Sequence, residues 1–162
     1  MRYLHCPVCG EKLGQREVGD EGLTPWCGPC SRPWFDTFAT CVICAVVNDR
    51  DEVALLRQTD LSKNTRVCVS GYMKPGESAE DAAAREILEE LGLEIDGIEY
   101  MGSWPMPERS QLMLGFRAHA PAAPLRLSRE IQDAAWFPFD HALPLIREGS
   151  VAWRLVERAI RA

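Results

Sequence analysis

The alternation of apolar and polar positions separates an irregular beginning from a long regular remainder. Phe38–Val47 is an apolar, β-rich run that predicts a buried strand. Asn48-Asp49-Arg50-Asp51 reads as a turn, and Val53–Gln58 as a second strand forming a hairpin with the first. Leu61–Asn64 is a polar loop, and Arg66–Ser70 a short strand that delivers the chain into Gly71. A helix follows over Ala79–Leu91, then strands over Ile95–Ser103, Gln111–Ala120 and Ala134–Phe139. Two prolines are expected to keep Trp104–Ser110 out of regular structure. Asp140 is placed to cap a helix through Arg147, and Ser150 a last helix through Ile160. Strands interleaved with few helices predict an α/β fold, a mixed sheet sandwiched by helices.

The segment Gly71–Leu93 carries the most chemistry. Gly71, Pro75 and Gly76 supply turn residues, Ser78 an N-cap with Asp81 three positions on, and Gly92 a stop. At about 100° per residue, Glu86, Glu89 and Glu90 share one arc of the helix. Ala84, Ile87, Leu88 and Leu91 form the face expected to be buried. Like charges so close repel, and a hard divalent cation relieves that repulsion. A solvated acidic face is the alternative.

In residue order this segment resembles the signature of the Nudix hydrolases. The signature is Gly, five residues, Glu, seven residues, Arg-Glu, an aliphatic, any residue, Glu-Glu, any residue, Gly and an aliphatic. Here Gly71, Glu77, Arg85, Glu86, Ile87, Glu89, Glu90, Gly92 and Leu93 fill it without a gap. The resemblance implies an α/β/α sandwich that hydrolyses a nucleoside diphosphate linked to another group. It implies Glu86 and Glu90 as principal ligands of Mg²⁺ or Mn²⁺, Glu89 assisting, and the Ser70 carbonyl as a backbone ligand. It also implies that Arg85 pairs with Glu77. Glu130, in a Glu-Ile…Ala-x-Trp-Phe run that the family often shows, is a candidate metal ligand or general base, against the alternative of a surface glutamate.

Residues 1–36 are short, loop-rich and poor in periodicity, and are expected to form a separate unit from residues 37–162. They hold Cys6-Pro7-Val8-Cys9 and Cys27-Gly28-Pro29-Cys30, with 17 residues between the pairs. That spacing fits a structural Zn²⁺ bound by Cys6, Cys9, Cys27 and Cys30. A redox dithiol and unliganded thiols are the alternatives. Cys41 and Cys44 repeat the spacing inside the predicted strand. Positions i and i+3 of a strand face opposite ways, so these two and Cys68 are expected to be buried small hydrophobes.

Composition narrows the classes. A net charge of −6 argues against broad affinity for nucleic acid. No apolar run approaches a membrane span, and Met1–Pro7 lacks the apolar core of a signal peptide, so the cytoplasm is the expected compartment.

A four-cysteine ribbon directly before such a domain resembles the NADH pyrophosphatase subfamily, whose array Ser-Gln-Pro-Trp-Pro-Phe-Pro precedes Leu-Met. Here Ser103, Pro105, Pro107, Leu112 and Met113 agree, while Trp104, Met106, Glu108 and Arg109 depart. The resemblance implies an NAD(H)-like dinucleotide as substrate. It points to Phe35, Trp104, Met106, Arg109, Gln111 and Ala152 as candidate substrate contacts; for Phe35 and Ala152, core packing is the alternative. ADP-ribose or a nucleotide sugar is the second choice of substrate. A nucleotide sensor with an RNA- or protein-binding ribbon is a reading of another class. Capped RNA ends and a homodimer are the macromolecular associations expected.

Overall fold

The computed structural model describes residues 3–58 and 65–162; the loop expected at Leu61–Asn64 lies outside them. The chain divides into two compact units, one ending at Phe38 and the other spanning Ala39–Ala162.

The N-terminal unit is more regular than its sequence suggests. Strands β1 (Gly14–Glu17), β2 (Leu23–Cys27) and β3 (Arg32–Pro33) form an antiparallel sheet in the order β1-β2-β3. The strands are too short for periodicity to show. Stacking supports them instead: the Arg16 guanidinium lies 4.6 Å from the Trp26 ring centre and that of Arg32 4.5 Å from Trp34.

The larger unit is built on β4 (Ala39–Val47), the predicted buried strand. β4 runs parallel to β8 (Gln111–His119) along its whole length. On its other side, β5 (Glu52–Gln58) pairs antiparallel with Val46 and Val47, and β6 (Val69–Tyr72) with Cys41–Cys44. β7 (Gly97–Met106) and β9 (Ile131–Pro138) complete a six-stranded mixed sheet, with β7 at one edge and β9 at the other. Cys41, Ile43, Ala45 and Val47 face one core cluster, and Val42, Cys44 and Val46 the other. Both faces being apolar explains why the run has no alternation.

Helix α1 (Ala79–Leu91) covers the second cluster with Ala82, Ala83, Ile87 and Leu91. Helix α3 (Val151–Ala159) covers the first with Ala152, Leu155, Val156 and Ala159. This is the expected α/β/α sandwich. Burying a side chain such as Ile87 or Leu155 stabilises the fold by about 1.5–3 kcal/mol. Both long helices begin on the expected caps. Ser78 accepts from the Asp81 N–H at 3.1 Å and Ser150 from that of Trp153 at 3.2 Å.

Four expectations need correction. The strand expected at Arg66–Ser70 is centred later, and β6 includes Gly71 and Tyr72, so Gly71 is a strand residue rather than part of a turn. β7 continues through Pro105 to Met106, paired with Gln111–Met113, and only Pro107–Arg109 turns, as a 3-10 segment. An edge strand has a neighbour on one side only and tolerates a residue without an N–H. The helix at Asp140 is short: α2 spans Phe139–Ala142, Asp140 sits inside its first turn, and Leu143–Leu145 tightens to a 3-10 turn containing Pro144. On α1, Leu88 is 51% exposed while Glu90 is 8% exposed. The buried face is turned toward Ala83, Ile87 and Glu90, and counting apolar residues cannot see a glutamate on that face.

Candidate active site and metal centres

Two glycines set where the carboxylates of α1 sit. A Cβ on Gly71 would stand 2.0 Å from the Glu86 side-chain carboxyl carbon, so the carboxylate lies flat against β6. Gly92 adopts the left-handed conformation (φ 66°) that ends α1, and its Cα is covered by Arg126. That close approach lets the returning chain hydrogen bond to the helix end. The Arg126 N–H donates to the Leu91 carbonyl at 2.8 Å and the Ser128 N–H to that of Glu90 at 3.3 Å.

Arg85 organises the cluster. Its Nε and Nη2 donate to both oxygens of Glu77, at 3.0 and 2.7 Å. Nη1 donates to Glu86 at 2.6 Å and to Glu89 at 3.2 Å, and Nη2 to the Tyr72 carbonyl at 3.1 Å. One guanidinium thus ties the loop, the helix and β6 together. Arg85 holds the Glu77 carboxyl at about 2, and the Lys74 N–H, which also donates to Glu77, adds to this. Lys74 Nζ lies 3.7 Å from Glu89.

Glu90 is the outlier. Its Oε2 is buried and has no hydrogen-bond partner. Burial first, then the charges of Glu86, Glu130 and Glu89, push its pKa up to about 8. A buried carboxylate oxygen without a donor, under the charges of three further carboxylates, has the chemistry that suits a hard divalent cation such as Mg²⁺ or Mn²⁺, while among the described residues only the four cysteines gather three or more ligand atoms within 4.8 Å of one another. Glu130 is exposed, and its charge is felt at Glu90.

Beside the carboxylates, with Gly71 as the shared wall, lies a cavity of ≈ 410 Å³. Ser70, Met106, Arg109, Gln111 and Ala152 all line it. Trp104 does not. Its ring covers Gly115, where a Cβ would be 2.3 Å away, and it packs against the core under α3. Phe35 belongs to the N-terminal unit, where it is 48% exposed and lines a groove with Tyr3, Arg32 and Trp34. Sequence reasoning missed Tyr72, whose hydroxyl accepts from Gln111 Nε2 at 2.6 Å, and the lining arginines Arg66 and Arg147. Tyr72 falls at an unspecified position of the signature, and only strand alternation from Ser70 points to it.

In the N-terminal unit the ligand sulfurs of Cys6, Cys9, Cys27 and Cys30 lie within 4.8 Å of one another. Cys9 and Cys27 are 3.4 Å apart, and Cys6 and Cys30 3.9 Å. A tetrahedral zinc thiolate site has sulfur–sulfur edges of about 3.8 Å, so these four fit. All seven cysteines are free thiols. Burial opposes ionisation of Cys6, yet the Cys9 and Val8 N–H groups bring its pKa to about 6. Hydrogen bonding with Cys9 and Cys27 pushes Cys30 up to about 12. Cys41 and Cys44 lie on opposite sheet faces and Cys68 is buried, as expected.

Residues 37–158 match the family model described as NUDIX domain. The chain is 31% identical over 159 residues to the NAD-capped RNA hydrolase NudC of Edwardsiella ictaluri, an alignment covering 98% of this chain and 60% of that protein. It is 30% identical over 161 residues to the protein of the same name from Vibrio vulnificus, covering 99% and 59%. The chain thus spans about 60% of the length of these curated relatives. Among solved structures, it resembles a NUDIX hydrolase from Nitrosomonas europaea with a TM-score of 0.73 at 20% identity, covering 98% of this chain and 91% of that one. The NUDIX domain of Shewanella oneidensis NrtR, complexed with ADP ribose, has a TM-score of 0.67 at 15% identity, covering 78% and 89%. At those identities the likeness is one of fold.

Proposed function

The chain belongs to the NUDIX domain family, and from that premise we propose that it hydrolyses the diphosphate linkage of a nucleoside diphosphate derivative, an NAD(H)-like dinucleotide above all. The observation that carries this is the buried, unpartnered Glu90 oxygen under the charges of Glu86, Glu130 and Glu89, with the Glu86 carboxylate seated on Gly71, which lines a cavity of ≈ 410 Å³. The substrate class is supported by relatives named for NAD-capped RNA, aligned along 98% of this chain.

Glu86, Glu89 and Glu90, with the Ser70 carbonyl and Glu130, would hold Mg²⁺ or Mn²⁺. When bound, such an ion neutralises the diphosphate and activates water. Arg85 positions Glu86 and Glu89 and keeps Glu77 ionised. Glu130, exposed and close enough for its charge to be felt at Glu90, is the candidate general base. Met106, Gln111 and Ala152 line the space for the rest of the substrate.

The test is a substrate panel with Mg²⁺: NADH, ADP-ribose, nucleotide sugars and dinucleoside polyphosphates. NADH is expected to be cleaved fastest, to two mononucleotides. Turnover of NADH no faster than that of ADP-ribose would remove the dinucleotide assignment. ADP-ribose is the second reading because no tryptophan or phenylalanine lines the cavity among the described residues.

The four-cysteine cluster would hold a structural Zn²⁺, since four protein ligands leave no position for substrate. Cys27→Ser is expected to release the zinc and unfold the N-terminal unit while α1 and its sheet persist. Metal analysis with limited proteolysis checks this; a variant with full zinc and intact protease resistance would overturn it. No helix among the described residues is long and apolar enough to cross a membrane. The free thiols agree with a cytoplasmic location. Capped RNA ends and a homodimer belong to the same proposal, and sedimentation with and without a capped oligonucleotide tests both.

A further inference from the structure

The cavity beside the carboxylate cluster has a charge that the protein as a whole does not. The chain carries −6 overall, yet Arg66, Arg109 and Arg147 line this cavity and, among the described residues, no aspartate or glutamate does. One of the three is already spent on structure. Arg66 donates to Asp133 at 2.8 Å and lies 4.6 Å over the Phe137 ring. Arg109 and Arg147 are exposed, and neither guanidinium meets a carboxylate among the described residues. Their chain neighbours Glu108 and Glu148 are exposed as well and do not line the cavity.

The fold brings these two arginines in from different elements. Arg109 ends the 3-10 turn between β7 and β8, two positions before Gln111. Arg147 follows the point where Arg66 bridges to Ile146, and it precedes the Ser150 cap of α3. Unpaired guanidinium groups sharing one wall with a site for a scissile diphosphate suit a further anion on the same ligand.

We propose that Arg109 and Arg147 form a second phosphate subsite, so that this chain favours dinucleotides bearing a phosphate monoester in addition to the diphosphate that is cut. The subsite deepens the hydrolysis proposed above and rests on it for its consequence in turnover. Arg109 and Arg147 act here as specificity residues: they bind a group that does not react.

NADH and NADPH differ by one ribose 2′-phosphate and are the probes. With the full chain and Mg²⁺, kcat/KM for NADPH is expected to exceed that for NADH. Arg109→Gln and Arg147→Gln are each expected to lower that ratio about tenfold, the scale of one charge-assisted hydrogen bond. The change falls on KM, and high salt lowers the wild-type ratio in the same direction. Equal losses for both substrates, or a ratio the variants leave in place, would overturn the subsite.

Binding without turnover separates this from the reaction itself. Adenosine 2′,5′-bisphosphate is expected to bind the full chain more tightly than AMP by calorimetry, and the margin is expected to vanish in the double variant. Arginine-dependent binding with no dinucleotide hydrolysis sustains the subsite and removes the reaction. Hydrolysis with no preference for the bisphosphate removes the subsite. An effect of both arginines on an NAD-capped oligonucleotide, with none on NADPH, would overturn the monoester in favour of an RNA phosphodiester.

Discussion

Glu90→Gln is expected to slow hydrolysis severely and, in the same molecule, to raise the melting temperature of the metal-free protein at high pH. Glu90 is 8% exposed, its Oε2 has no donor, and Glu86, Glu130 and Glu89 add their charges. Its folded pKa of about 8 lies above the ordinary value of 4.5, so the folded state favours the protonated form. Stability from this group is therefore fully present below about 4.5 and is lost as pH rises through about 8. The glutamine cannot ionise and escapes that loss. At pH 9 the metal-free variant should melt several degrees above wild type, at about 2–4 °C per kcal/mol for a chain this size. At pH 4 the two should coincide. Mg²⁺ should reverse the order, stabilising wild type and leaving the variant unmoved. Turnover should fall on the order of 100-fold to 1000-fold, the several kcal/mol that a bound ion contributes. Calorimetric scans at both pH values, with and without Mg²⁺, check the pair of effects. A variant that melts no higher than wild type at pH 9 would sink the assignment of Glu90 as a buried charge.

Gly71→Ala should separate activity from stability in the opposite way. The new methyl would sit 2.0 Å from the Glu86 carboxyl carbon and 2.1 Å from Oε1. The obstacle is the far end of a flexible side chain, and Gly71 is not among the residues of positive φ. The backbone therefore accommodates alanine and Glu86 moves away. Moving a ligand by about 1 Å costs on the order of 100-fold in rate. We expect kcat with Mg²⁺ to fall by that factor while the melting temperature of the metal-free protein stays close to wild type. Unchanged kcat would show that the seat of Glu86 against β6 is not needed.

Helix α1 was legible because its features are local. Caps, periodicity and the glutamate spacing lie within Gly71–Leu93, and the helix spans the expected residues. β4 was legible because burial on both faces leaves an unmistakable apolar run. What escaped was decided across the fold. Gly71 reads as a turn glycine until the Glu86 carboxylate is seen lying on it. Trp104 reads as a stacking face beside the diphosphate, yet Gly115 on the neighbouring strand leaves room for its ring, which packs half-buried against the core and lines a different cavity from Gly71. Pro105 breaks a central strand but not an edge strand, and only the sheet order reveals which β7 is. Arg147 has no local signature, and its neighbour Ile146 meets Arg66, 80 positions away in the chain, only through an isolated bridge that the folded chain makes.

The turn between β7 and β8 has a consequence for how such a chain can diverge. The Glu86, Glu89 and Glu90 carboxylates hang from α1, whereas Arg109 ends the three-residue turn between β7 and β8. Substitutions in Met106–Ser110 can accumulate without disturbing the hydrolytic groups. Descendants of one ancestral hydrolase can thus retune which nucleotide they accept while inheriting an unaltered way of cutting it.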